Sequence, residues 1–122
     1  LNVHAVMNHR HHNTETYALF FQNRVLYVAC GMFEERMLEL YPKEPEVMLV
    51  NTTLLYKIPG IQHLCLDDAR TLILNIKPKK AILTHFGYEL LSLADPDRIA
   101  VELSDDLGIE VLAAKDSMEV PL

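Results

Sequence analysis

The chain has 122 residues, 50% of them apolar and 23% charged, with a formal net charge of −6. That is enough for one small domain with a core, too apolar for a disordered protein, and without the basic stripe that a nucleic-acid surface needs. No apolar run reaches the roughly 18 residues of a membrane span, no signal-peptide pattern occurs, and Cys30 and Cys65 are too few for a disulfide framework, which fits a reducing, cytoplasmic setting.

The chain starts at Leu1 rather than methionine, which suggests a processed or truncated product. Asn2 to Met7 alternates loosely, with Val3, Ala5 and Met7 on one side, and reads as a strand. His9-Arg10-His11-His12 follows as a dense patch of imidazoles. Two β-rich runs, Thr16 to Phe21 and Arg24 to Ala29, are split by Gln22-Asn23, the spacing of a hairpin with a two-residue turn. Cys30-Gly31 ends the second run. Glu34 to Leu40 reads as a short helix closed off by Pro42 and Pro45.

Glu46 to Val50 reads as a buried strand with the small polar run Asn51-Thr52-Thr53 at its mouth. Leu54 to Gln62 is expected to be a loop that turns at Pro59-Gly60. Leu66 to Lys77 is a helix, because Ala69, Leu72, Ile73 and Ile76 form one stripe. Asp67 and Asp68 in its first turn suit the helix dipole. Ala81 to Phe86 is the next buried strand, ending at His85, with Gly87 free to turn the backbone. Asp95-Pro96 starts a helix with the stripe Ile99, Leu103, Leu107 and Gly108 as its C′ residue. Ile109 to Ala113 is a strand, and Met118 to Leu122 a short terminal one.

Strands alternate with helices after the hairpin, so the class is α/β with a mostly parallel sheet in that part. The helices suffice for one face of the sheet. The other face is expected to stay apolar and to need a partner layer.

Six histidines stand at positions 4, 9, 11, 12, 63 and 85. Imidazole is a common zinc ligand, and histidines from separate loops can converge. At the mouth of a parallel strand, His85 is either such a ligand or the residue that ends the strand. The patch around His11 and His12 is likewise either a ligand source or a solvated strand exit.

Five stretches carry a resemblance: His12-Asn13-Thr14-Glu15-Thr16-Tyr17, Leu26-Tyr27-Val28-Ala29-Cys30-Gly31, His63-Leu64-Cys65-Leu66-Asp67-Asp68-Ala69, Lys77 through Gly87, and Ala113-Ala114-Lys115-Asp116-Ser117-Met118. In this order and spacing the chain resembles the C-terminal half of a metallo-β-lactamase-fold hydrolase. The resemblance implies an αββα sandwich, of which residues 1–122 form a C-terminal half-domain. It implies one or two metal ions, commonly zinc, held between two sheets. His12 and His85 take ligand positions. His63 matches a histidine beside the scissile phosphate in the related tRNA 3′-processing endonucleases, a catalytic place. Asp116 matches the acid of a recurrent Asp-Gly-Met ending and is not a ligand.

The departures bear on function. The defining His-x-His-x-Asp-His motif belongs to the N-terminal half and is absent here. Ala29-Cys30-Gly31 stands where the bridging aspartate is expected. Cys30 either ligates as a thiolate or is buried and structural, the ordinary state of a free cysteine. Cys65 replaces a serine, Ser117 replaces a glycine, and the acid expected near Asn51 is missing. Hydrolysis needs about three to five ligands and an open position for water. The expectation is therefore part of a zinc hydrolase for a small-molecule or phosphodiester substrate, inactive alone. Its partner would be an N-terminal half or another chain carrying the missing motif, and its open sheet face would drive self-association. The alternative is a degenerate, non-catalytic scaffold module of the same fold.

Overall fold

The computed structural model describes all 122 residues. Six strands form one sheet: β1 (Val3–His9), β2 (Thr16–Phe21), β3 (Val25–Val28), β4 (Val47–Asn51), β5 (Lys80–Thr84) and β6 (Glu110–Ala113). They lie side by side in chain order. β1, β2 and β3 are antiparallel, and β3 through β6 run parallel. Parallel neighbours need crossovers. These contain α1 (Arg36–Leu40), α2 (Leu66–Ile76), and the pair α3 (Tyr88–Leu93) and α4 (Pro96–Leu107).

The register places Leu26, Met48, Ala81 and Val111 in one row across the sheet, and Val28, Val50, Leu83 and Ala113 in the next. Both rows join one buried cluster with Met37 of α1, Leu72, Ile73 and Ile76 of α2, and Ile99 and Leu103 of α4. The helices therefore cover one face, as the stripes in the sequence require. The opposite face carries the row Tyr27, Leu49, Ile82 and Leu112. Tyr27, Leu49 and Leu112 are only half-buried.

The C-terminal segment lies across one end of that second face. Met118, Val120 and Leu122 line an apolar groove of about 270 Å³ together with Val25, Val47 and Ile82. The Lys80 ammonium donates to the Pro121 carbonyl at 3.4 Å. The segment alternates like a strand but pairs with none, so the expected terminal strand is corrected to an extended cover.

Other boundaries also move. β1 continues to His9, which is a strand residue rather than the start of a loop. The hairpin turn is one residue longer than expected, because pairing resumes at Phe21 and Val25. Gln22 and Asn23 still hold the left-handed φ of 51° and 53° that a type I′ turn requires. α1 begins at Arg36, and β5 ends at Thr84, so His85 lies just beyond the strand. The helix α3 was not expected. No helix is long and apolar enough to cross a membrane.

Candidate metal centre

Backbone hydrogen bonds gather the C-terminal ends of β3, β4 and β5 and the exit of β1. Met32 N–H donates to the Arg10 carbonyl at 2.8 Å and joins the exits of β3 and β1. Thr52 N–H donates to Thr84 O at 2.8 Å, and Gly87 N–H to Thr53 O at 2.9 Å. A side chain at Gly87 would put its Cβ 2.6 Å from the Thr53 oxygen, so glycine is required for that approach. Leu54 bridges to Cys65 in parallel fashion, which carries His63 to the same mouth. Ligand sites in open α/β sheets lie at this end of the strands.

Three donor atoms converge there. One ligand atom each from His11, Cys30 and His63 lies within 4.8 Å of the others. Cys30 is buried, and the two imidazoles are half-buried. The His11 and His63 rings meet edge-on with centroids 5.0 Å apart. His12 lies outside this tight group but adjoins it, its ring 6.0 Å from that of His11 and 6.3 Å from that of His63. His12 is exposed and already engaged: its Nε2 accepts from Gln62 N–H at 3.2 Å, and its own N–H donates to the Gln62 side chain. His85 is exposed and close enough to perturb His63 electrostatically. His12 and His85 both hold left-handed φ, 50° and 60°, a conformation in which histidine is enriched among side-chain-bearing residues. His4 and Asp116 are exposed and take no part in the cluster.

The donor set fits a metal ion. The Nδ1 atoms of His11 and His63 are buried without a hydrogen-bond partner, and buried polar atoms are seldom left so. The Asn51 amide donates to Cys30 Sγ at 3.2 Å and holds the sulfur at the cluster. Two imidazole nitrogens and a thiolate suit a borderline-soft ion with tetrahedral preference. Magnesium and calcium prefer oxygen ligands, which the cluster lacks.

Burial holds the His63 pKa below the ordinary 6.5, and repulsion by His11, His12 and His85 adds to this. His9 is also held below 6.5, chiefly by burial. Both rings are therefore most stable neutral in the folded chain. A group whose pKa is lowered by folding contributes stability that is complete above the unfolded value and is lost as the pH falls below it. The metal-free chain is expected to lose urea resistance between about pH 7.5 and pH 5.5, the window of imidazole titration. A urea midpoint that stays flat across this window would contradict the neutral, desolvated state of both rings.

Of the two readings open for the patch around His11 and His12, the ligand source fits the cluster, with His11 rather than His12 in the tight group; Asn51, at the mouth of β4, contributes through Cys30 Sγ. His11, two residues past the end of β1, keeps the spacing of Met7 and His9, and that spacing is visible in the sequence. Asn51 carried no signal beyond its place at a strand mouth.

No protein-family profile matches the sequence, and no curated protein matches it. Solved structures do match. The metallo-β-lactamase fold protein YhfI from Bacillus subtilis aligns with a TM-score of 0.78 at 14% identity, over 95% of this chain and 47% of YhfI. A diphosphatase from the PhnP family aligns at 0.70 and 17% identity, over 98% of this chain and 43% of that one. Igni18, a metallo hydrolase from the hyperthermophilic archaeon Ignicoccus hospitalis, aligns at 0.68 and 14% identity, over 97% and 51%. The chain spans about half the length of the structures it matches. At such low identity the likeness is one of fold, and the chain has the metallo-β-lactamase fold over about half of that fold's extent.

Proposed function

We propose that this chain is the C-terminal, metal-ligating half of a zinc-dependent hydrolase, completed by an N-terminal half that carries a His-x-His-x-Asp-His motif. The observation that carries the proposal is the convergence of donor atoms from His11, Cys30 and His63 within 4.8 Å. Bound there, zinc would supply Lewis acidity and lower the pKa of a water.

The chain's own residues do the rest. Cys30 and His11 hold the ion from the exits of β3 and β1. His12 and His85 adjoin it as the further ligands that the sequence resemblance implies. His63 is kept neutral by burial, and a neutral ring can donate to an ion or polarise a substrate. Cys30 in place of an aspartate gives a softer ligand, and its thiol needs a reducing, cytoplasmic setting to stay free. Both cysteines are free. The half-buried row Tyr27, Leu49 and Leu112 supports a covering layer as partner, and self-association when that layer is lacking.

The substrate is a small molecule or a phosphodiester, since this fold hosts several hydrolytic chemistries. The test is turnover of bis(p-nitrophenyl) phosphate, a thioester and a lactone by the protein as its source cell produces it. Turnover of one of them, lost on chelation and restored by zinc, supports the proposal. The isolated 122-residue chain is expected to load zinc and turn over none. A whole protein that loads zinc and hydrolyses nothing would favour the second reading, a non-catalytic scaffold, which the replacement of an aspartate by Cys30 motivates.

A further inference from the structure

Beside the cluster lies a buried chain of hydrogen bonds that metal ligation does not use. His9 Nε2 is 2.6 Å from the Tyr41 hydroxyl, and His9 Nδ1 is 3.3 Å from the Cys30 carbonyl oxygen. Only 5% of His9 and 1% of Tyr41 is exposed. The Thr16 hydroxyl donates to the same Cys30 oxygen. A carbonyl has two lone pairs and accepts both.

These contacts fix the proton. The Cys30 carbonyl can only accept, so His9 Nδ1 must carry the hydrogen. Nε2 then has a lone pair, and Tyr41 must donate to it. The other neutral tautomer would turn the Nδ1 lone pair onto the Cys30 oxygen, a repulsive contact. The two ring nitrogens meet only the Cys30 carbonyl and the Tyr41 hydroxyl. The next residue is shaped to this arrangement: a Cβ at Gly31 would lie 2.4 Å from the His9 Cβ.

We infer that His9, held in one tautomer by Tyr41, is a positioning residue that locks the Cys30 peptide and so aims the Cys30 thiol at the metal site. The peptide is gripped at its carbonyl by His9 and Thr16. It is gripped one residue beyond Gly31 by the Met32–Arg10 hydrogen bond. The sulfur is left to face Asn51, His11 and His63. The clamp reaches from α1, whose C-terminal cap is Tyr41, through β1 to the end of β3. The inference rests on the reading of Cys30 as a ligand.

Two substitutions at one site separate positioning from packing. His9→Asn keeps an amide N–H at the position of Nδ1 and loses the contact to Tyr41. His9→Gln puts its amide near the position of Nε2 and loses the donor to Cys30. Both remove the ring, so a purely structural role predicts similar losses. Cobalt(II) titration of the 122-residue chain reads the thiolate-to-cobalt charge-transfer band. His9→Gln is expected to weaken cobalt binding about tenfold or more, the usual effect of losing an outer-shell partner, and to diminish the band. His9→Asn is expected to keep both near wild type at a similar melting temperature. Equal cobalt losses in the two variants, or none in either, would overturn the inference.

A second readout does not depend on the metal. Nitrogen-15 NMR of the metal-free chain should show His9 as the Nδ1–H tautomer. An Nε2–H ring overturns the clamp. A wild-type chain that binds cobalt without a thiolate band would overturn Cys30 as a ligand, and with it the aiming of the thiol.

Discussion

A chain carrying both His11→Ala and His63→Ala is expected to retain no zinc after gel filtration, whereas the wild-type chain retains a stoichiometric amount. Two of the three converging donors are then gone. Of the three, Cys30 alone remains, and with only the exposed His12 and His85 beside it the ion is lost to water. Loss of a direct ligand should exceed the roughly 10–100-fold that an outer-shell change costs. The single variants sharpen the result. His11 offers a buried, unpartnered Nδ1, whereas His12 Nε2 already accepts from Gln62 N–H. His11→Ala should therefore lower zinc affinity more than His12→Ala does. His4→Ala, far along β1 and exposed, should leave it unchanged. Zinc retention in the double variant would remove the cluster as the metal site. A larger loss from His12→Ala than from His11→Ala would return the ligand role to the residue that the motif alone suggested.

The contrast between His11 and His12 shows where the sequence stops being informative. The period-3.6 stripe of α2 was legible because it is local: Ala69, Leu72, Ile73 and Ile76 are all fully buried. The start of α4 was legible for the same reason, with Asp95 accepting from Asp97 N–H at 3.0 Å as the N-cap. Ser117 stands where the resemblance expects a glycine, and its φ of 62° is the conformation that a glycine favours. α3 was not legible. It has six residues and buries only Leu90, so no stripe can form, and it is set off by the approach of Gly87 to Thr53.

The site itself is a tertiary property. Adjacent histidines look alike in a sequence, and which ring turns inward depends on the exit angle of β1 and on a partner 50 residues away, Gln62. The pairing of His9 with Tyr41 spans 32 residues and has no motif. The alternation of Met118, Val120 and Leu122 is that of a strand. Its apolar period was real, but the structure uses it to lie on the sheet rather than to extend it.

The one-sided core makes the second large effect quantitative. Leu83→Ala removes a fully buried side chain from β5, one residue before the strand end. Large-to-small changes of this kind destabilise by about 2–5 kcal/mol, against a total of roughly 5–15 kcal/mol for a domain. The melting temperature should fall by on the order of 10 °C, and zinc loading should weaken with it, because Ala114 N–H donates to the Leu83 carbonyl and Thr52 N–H to Thr84 at the mouth. Leu49 and Leu112 belong to the opposite face and are half-buried. Alanine at either should cost the isolated chain about 1 kcal/mol or less. Thermal melts of the three variants decide the matter. A loss at Leu49 equal to that at Leu83 would mean that the second face is already packed in the isolated chain, and the proposed covering layer would have nothing to cover. If the asymmetry holds in the isolated chain and narrows in the complete protein, the second face is the side on which the other half packs.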